Sequence, residues 1–272
     1  MQKFIPINCS KHPNFIAMSF TKDITHHFLH GHTKYLPGLS VDCIIFGFHQ
    51  NELKVLLLHA KYAGMWALPG GFIKKEEHTD VAAQRILMER TQLKNIYLQQ
   101  FHVFSEPNRS TKKIYQAFLK SIDVNIESSW MFDRFITIGY TALVDFSKAI
   151  PVADNLSAAC QWHNIHTLPP LLLDHKKIID TALLNLRTHL NYHPIGYNLL
   201  PKKFTMPELQ KLYETILDKK LDRRNFQRKI TNTNILKKLN ETKKGVAHKA
   251  PNYYSFDIKK YTKALTTGVE FE

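Results

Sequence analysis

Leu68-Pro-Gly-Gly-Phe-Ile-Lys-Lys-Glu-Glu77, running on to Arg85-Ile-Leu-Met-Glu-Arg-Thr-Gln-Leu93, is the stretch on which the fold turns. Pro69, Gly70 and Gly71 supply a bend ahead of a helix expected over roughly Thr79 to Thr91. On that helix Ala83 and Leu87 fall four apart on one face, with Ala82 beside them allowing close approach. Glu77 is placed to pair with Arg85.

The stretch resembles the Nudix box, a Gly, five residues, a Glu, seven residues, then Arg-Glu-apolar-any-Glu-Glu-any-Gly-apolar. Gly71, Glu77 and Arg85 are in register, Leu87 and Leu93 fill apolar positions, and Gln92 stands where the last Gly belongs. The resemblance implies three Glu on one helix face that hold a divalent metal against a pyrophosphate. A hard cation needs several oxygens converging on it. Here those positions are Ile86, Glu89 and Arg90: a hydrocarbon, one acid and a cation that repels metal. The expectation is a pyrophosphohydrolase scaffold with its metal cage removed, with no catalytic residues and no cofactor.

Composition sets the outer bounds. At 272 residues and 44% apolar the chain is globular, with room for two domains. No run approaches the roughly 20 apolar residues needed to span a bilayer, and Ile5 to Phe20 is too polar for a secretory core. Cys9, Cys43 and Cys160 are scattered, as reduced cysteines in a cytoplasm are. The formal charge is +14 and uneven: 17 Lys/Arg face 8 Asp/Glu from Pro201 onward, against 20 and 15 before it. A basic terminal domain points to a polyanion partner.

Taken in order, residues 1–33 form an N-terminal arm whose four His between Thr25 and His32 lack metal-ligand spacing. Val41–Phe48 and Leu53–Leu58 predict adjacent buried strands joined by the polar turn His49-Gln-Asn-Glu52. Further strands are expected at Ile96–Phe104, Phe135–Val144 and Trp162–Leu168, with Ser110–Arg134 unassigned. Asp174–Leu190 carries Ile178, Ile179, Ala182, Leu183 and Leu186 at helical spacing and is broken by His193-Pro-Ile-Gly196. The organisation expected is an arm (1–33), an α/β/α sandwich on a mixed sheet (34–170), a linker helix (171–197) and a winged helix-turn-helix (198–272).

The terminal domain has the sharper local signals. Thr205 and Glu208 form a capping box flanked by Phe204 and Leu209, and Asp222 is a second N-cap candidate with Leu221 and Phe226 as its staple. Phe226 and Ile230 anchor the second helix, which leaves Arg224, Gln227, Arg228 and Thr231 pointing away. Two Arg, a Gln and a Thr suit base edges and phosphates in a major groove, and the adjoining Arg223 and Lys229 add charge. Ile235–Leu239 and Tyr253–Phe256 read as strands flanking a basic wing with Lys243, Lys244 and Lys249.

Trp66-Ala-Leu-Pro-Gly-Gly-Phe72, Phe204-Thr-Met-Pro-Glu-Leu-Gln210 and Leu221-Asp-Arg-Arg-Asn-Phe-Gln-Arg-Lys-Ile230, with Tyr254-Ser-Phe-Asp257, together resemble the Nudix-related transcriptional regulators. The resemblance covers roughly residues 38–258. It implies a homodimeric repressor or activator in which a catalytically degenerate Nudix domain binds a small effector and a winged helix binds operator double-stranded DNA. The effector class it implies is ADP-ribose or a pentose. Members of the ADP-ribose type carry an Arg-Asp-Pro-Arg turn where this chain has Glu106-Pro-Asn-Arg-Ser110, which leaves one Arg for a diphosphate and favours a neutral sugar. Glu106, Arg109 and Tyr140 are the candidate pocket residues. The competing readings are an active Nudix pyrophosphohydrolase tethered to nucleic acid, with Glu77 and Glu89 holding one Mg²⁺, and an RNA-binding or scaffold protein.

Overall fold

The computed structural model describes residues 13–267 apart from Tyr62, Asn95, Ser110, 191–195 and 246–249. Helix α1 (Pro13–His30) leads into a mixed seven-stranded sheet. The strand order is β3 (Met65–Ala67), β2 (Glu52–Ala60), β1 (Tyr35–His49), β6 (Ile136–Val144) and β5 (Leu98–Phe104). Off this path, β4 (Gly70–Lys74) pairs with β1 and β7 (Ser157–Asn164) with β2. The β1/β6 pair is parallel, from Leu39 opposite Ile136 to Gly47 opposite Val144, and the other pairs are antiparallel.

Strand β1 is apolar on both faces because both faces are covered. Val41, Cys43 and Ile45 pack beneath α2 (Thr79–Thr91), with Ala82, Ala83, Ile86 and Leu87. Ile44 and Phe46 face the opposite way, toward Ile178, Ile179, Ala182 and Leu186 of α4 (His175–His189). The expected sandwich is therefore the observed one. The β1–β2 turn places Gln50 and Asn51 at φ 51° and 61°, the two left-handed residues of a hairpin whose twist matches its strands.

Ser110–Arg134, left open by the sequence, holds helix α3 (Lys112–Ser121) and a 3₁₀ turn, Trp130–Phe132. Their Phe118, Leu119, Trp130, Met131 and Phe132 form a separate core with Ile24 and Phe28 of α1, so the described part of the arm packs on the rest of the chain. The strand expected at Trp162–Leu168 lies earlier, at Ser157–Asn164. Its pairing with β2 stops where the Asn164 side chain accepts from the His166 N–H at 2.9 Å, and that turn ends the strand.

The C-terminal part is built from β8 (Phe204–Thr205), α5 (Met206–Leu217), α6 (Arg223–Asn232), β9 (Leu236–Thr242), β10 (Asn252–Phe256) and α7 (Ile258–Thr267). Its sheet runs β8-β10-β9. The Thr205–Glu208 capping box is formed at the start of α5, and Asp222 accepts from the Asn225 N–H at 2.9 Å to cap α6. Phe204 and Leu209 are fully buried, and the inner residues of α6, Phe226 and Ile230, are buried as well. Leu183, Leu186 and Leu190 pack in one apolar cluster with Leu209, Leu212 and Ile216, so the core runs unbroken from the large sheet into the winged helix.

Gln92, at the position of the box's last Gly, closes α2 in the left-handed conformation (φ 59°), with its N–H donating to Met88 O at 2.8 Å. A glycine adopts that conformation without the Cβ penalty. Gln92→Gly is therefore expected to stabilise the protein by about 1 kcal/mol. Urea midpoints for the two proteins check this, and a loss of stability in the variant would contradict it.

Candidate functional site

The box residues are placed by two glycines. A Cβ on Gly70 would collide with the Asp42 carboxylate, and one on Gly71 would sit 3.1 Å from Ile86 Cδ1. Their absence lets β4 lie against β1 and under α2. Glu77 then reaches back across the bend. Arg85 Nε and Nη2 donate to its two carboxylate oxygens, each at 2.8 Å, and the Lys74 N–H adds a third bond at 3.1 Å. These hydrogen bonds, those from Arg85 foremost, hold the Glu77 carboxyl below the usual carboxylate range.

The remaining box positions do not fit a divalent cation. Ile86 is buried in the core against Gly71. Arg90 points its Nη2 at Asp154 Oδ2, 3.0 Å away. Glu89 is flanked by Arg85 at 3.7 Å and Arg90 at 3.8 Å. Two guanidinium groups on the one carboxylate available is the reverse of the oxygen-rich cage a hard cation requires.

Beside the box, on the α4 side of the sheet, lies a cleft of about 170 Å³. One end is aromatic, with Phe72, Tyr115 and Phe135. The other is ionic and centres on Arg109, which is 8% exposed. Arg109 Nε donates to both oxygens of Asp174 at 2.8 Å, Nη1 to Thr137 Oγ1 at 2.5 Å and Phe135 O at 3.2 Å, and Nη2 lies 3.5 Å from Asp42 Oδ2. His175 completes the group. Its Nδ1 accepts from the Leu68 N–H at 2.9 Å, and its Nε2 faces Asp42 Oδ2 at 4.0 Å. Burial lowers the His175 pKa, so the ring is held neutral, and burial raises that of Asp42 against the opposing pull of His175 and Arg109.

Of the three candidate pocket residues, the structure brings only Arg109 to this cleft. Tyr140 is on the opposite face of β6, where its hydroxyl donates to Asp80 Oδ1 at 2.6 Å under α2. Burial and that bond raise its pKa to about 12. One residue of strand alternation separates Tyr140 from the cleft-facing side. Glu106 is half-buried outside the cleft lining and pairs with Lys177 of α4. Asp42, Thr137, Asp174 and His175 were not expected. Asp42 carried a readable signal, since a lone carboxylate inside the apolar run Val41–Phe48 has to be paired when buried.

At the other end of the molecule, Arg223, Arg224, Gln227, Arg228, Lys229 and Thr231 are all exposed on α6, with Arg228 Nη2 resting on Asn225 Oδ1 at 3.3 Å. In the β9–β10 wing Lys244 is exposed, whereas Lys243 Nζ is bonded to Glu208 Oε1 at 2.7 Å and so ties the wing to the α5 cap. Lys249 lies outside the described residues.

A NUDIX domain family model matches residues 36–182, and the NrtR DNA-binding winged helix domain matches residues 196–256. The chain belongs to the Nudix-related transcriptional regulators. Over 83% of its length it is 28% identical to the ADPR responsive transcriptional repressor NtrR of Acinetobacter baylyi, covering 84% of that protein. Its fold matches the crystal structure of Shewanella oneidensis NrtR complexed with a 27mer DNA, with a TM-score of 0.65 at 24% identity, covering 82% of this chain and 95% of that one. It is also 26% identical to an ADP-ribose pyrophosphatase of Methanocaldococcus jannaschii, over 53% of this chain and 71% of that enzyme. Among the described residues of this Nudix-related regulator, no helix is long and apolar enough to cross a membrane.

The Glu77–Arg85 pair has a pH signature. A carboxyl depressed in the folded state contributes stability that is complete above the unfolded value, about pH 4.3, and is lost as pH falls through the folded pKa. Glu77→Gln is expected to cost most at neutral pH, the deficit narrowing as pH drops below about 4. Urea unfolding of both proteins between pH 7 and pH 3 measures it; a deficit independent of pH would rule out this role.

Proposed function

We propose that this protein is an ADP-ribose-responsive repressor that binds operator DNA as a homodimer through α6 and the β9–β10 wing, its Nudix cleft recognising the effector without cleaving it. The observation that carries the reading is the pairing, in one chain, of a cleft with aromatic rings at one end and the buried Arg109 guanidinium at the other, and a capped helix whose outward face is Arg224, Gln227, Arg228 and Thr231. An adenine has a ring to stack at the Phe72–Phe135 end, and a diphosphate suits a planar guanidinium. The name of the Acinetobacter relative supports the same effector. The pentose inferred from the single Arg in the Glu106–Ser110 turn has no such support, and ADP-ribose replaces it. The cleft is smaller than the roughly 300–1,000 Å³ usual for such ligands, so binding has to widen it.

Two recognition helices in a dimer would address half-sites about 34–36 Å apart. Arg224→Ala and Arg228→Ala are each expected to weaken operator binding by about 1–3 kcal/mol if the side chain pairs with a base. Fluorescence anisotropy on a duplex selected by the protein from random DNA reads this out, and wild-type affinity in both variants would overturn the face assignment.

The match to an ADP-ribose pyrophosphatase keeps hydrolysis as the second reading. Calorimetry with ADP-ribose is expected to show saturable binding, and incubation with Mg²⁺ or Mn²⁺ to release no AMP or ribose 5-phosphate. Steady product release would favour the enzyme instead.

A further inference from the structure

We propose that Asp174 is the switch residue of the effector cleft: a diphosphate takes Arg109 from it, the freed carboxylate caps helix α4, and α4 carries the change to the helix-turn-helix. This rests on the reading of the cleft as a diphosphate site.

Asp174 occupies the N-cap position of α4, where Asp is favoured because its oxygen accepts a hydrogen bond from the first turn. Here it caps nothing. Both of its oxygens are taken by Arg109 Nε, and its backbone sits at φ −94°, ψ 17° instead of the extended conformation that capping needs. The neighbour before it, Leu173, is left-handed at φ 49°, a conformation a branched side chain resists. The neighbour after it, His175, is buried on the Leu68 N–H and anchors the start of the helix in the cleft. The junction is thus held in a disfavoured shape by one guanidinium that also lines the cleft.

A diphosphate competes for that guanidinium, because its oxygens accept the Nε–H bond that Asp174 now shares between its two oxygens, and its charge repels the Asp174 carboxylate beside it. Released, Asp174 has a second set of donors in its own helix, reached by rotating ψ toward the extended region. That rotation redirects the chain into α4. The helix is 15 residues long, about 22 Å at 1.5 Å per residue. At its far end Arg187 Nε donates to Ile216 O of α5 at 2.8 Å, and Leu183 and Leu186 pack in the α5 core. A displaced α4 therefore moves α5, against which the recognition helix is seated. A neutral sugar lacks the charge to take Arg109, so it leaves the switch where it is.

The test uses the full-length protein, ADP-ribose with ribose as control, and the selected duplex, comparing wild type with Asp174→Asn and Arg187→Gln. Asparagine can cap but cannot hold the guanidinium. Asp174→Asn is expected to bind ADP-ribose at least as tightly as wild type. Without ligand its DNA affinity should lie within about twofold of the wild-type ADP-ribose-bound value, and added ADP-ribose should change it less than about twofold. Arg187→Gln should bind each ligand separately within about threefold of wild type and lose most of the coupling between them. Ribose should leave the DNA affinity of all three proteins unchanged. If both variants keep the wild-type response to ADP-ribose, the switch is wrong and the effector reading stands. If wild type neither binds ADP-ribose nor responds to it, both fall. Should Asp174→Asn fail to fold by circular dichroism, Arg187→Gln decides alone.

Discussion

Arg109 is the side chain on which the cleft of the NUDIX domain depends. A guanidinium with 8% exposure has lost its water, and removing one partner from a buried ion pair typically costs about 3–5 kcal/mol because a bare charge remains. Its donors reach Asp174 at the head of α4, Thr137 and Phe135 on and beside β6, and Asp42 in the middle of β1. One planar group thus joins four parts of the chain that are far apart in sequence. The pairing also explains how Asp42 can stand in the otherwise apolar run Val41–Phe48. Its charge has Arg109 as counter-ion, and its bulk is accommodated by Gly70, where no side chain could fit.

The box keeps its scaffold while some of its positions depart from the family's pattern. Its scaffolding residues remain in their roles: Gly70 and Gly71 allow close approach, and Glu77 clamps Arg85 across the bend with the Lys74 N–H. The departures are where the metal would be held, and each has found a different use. Ile86 adds a hydrocarbon to the α2 core, and Arg90 closes onto Asp154. Asp154 itself lines the cleft, so α2 borders the cleft through an ion pair.

The layers and the winged helix were legible in the sequence because their signals are local or periodic. Continuous apolar, β-branched runs marked β1 and β2, the Thr205–Glu208 spacing marked α5, and Phe226 with Ile230 gave the orientation of α6. The cleft was far less legible. Its ionic end is assembled from β1, the turn after β5, β6 and the start of α4, and no spacing within one segment announces that convergence. Tyr140 illustrates the difficulty: a one-residue step along β6 separates the face under α2 from the face that holds Thr137. The 3₁₀ turn at Trp130 was hidden for a related reason. It is held by tertiary contacts with α1, including the bond from Trp130 Nε1 to His27 O at 2.9 Å, beside the local cap in which Ser129 Oγ accepts from the Met131 N–H at 3.1 Å.

The continuity of the core constrains how a signal can cross the molecule. Leu183, Leu186 and Leu190 on α4 share one apolar cluster with Leu209, Leu212 and Ile216 on α5, and Thr215 Oγ1 reaches back to Asn51 O of the β1–β2 turn at 3.2 Å. A close-packed interior does not deform continuously, because each ångström of separation loses contacts along its whole length. The winged helix therefore cannot swing freely about a flexible tether. It has to move as α4 and α5 move, by small sliding or rotation of packed helices, the shear class of transition. Such motions are small at their source and need a fulcrum with two discrete arrangements. The head of α4, with a left-handed Leu173 and an N-cap Asp174 whose oxygens are held by Arg109 and not by the helix, has the chemistry of one.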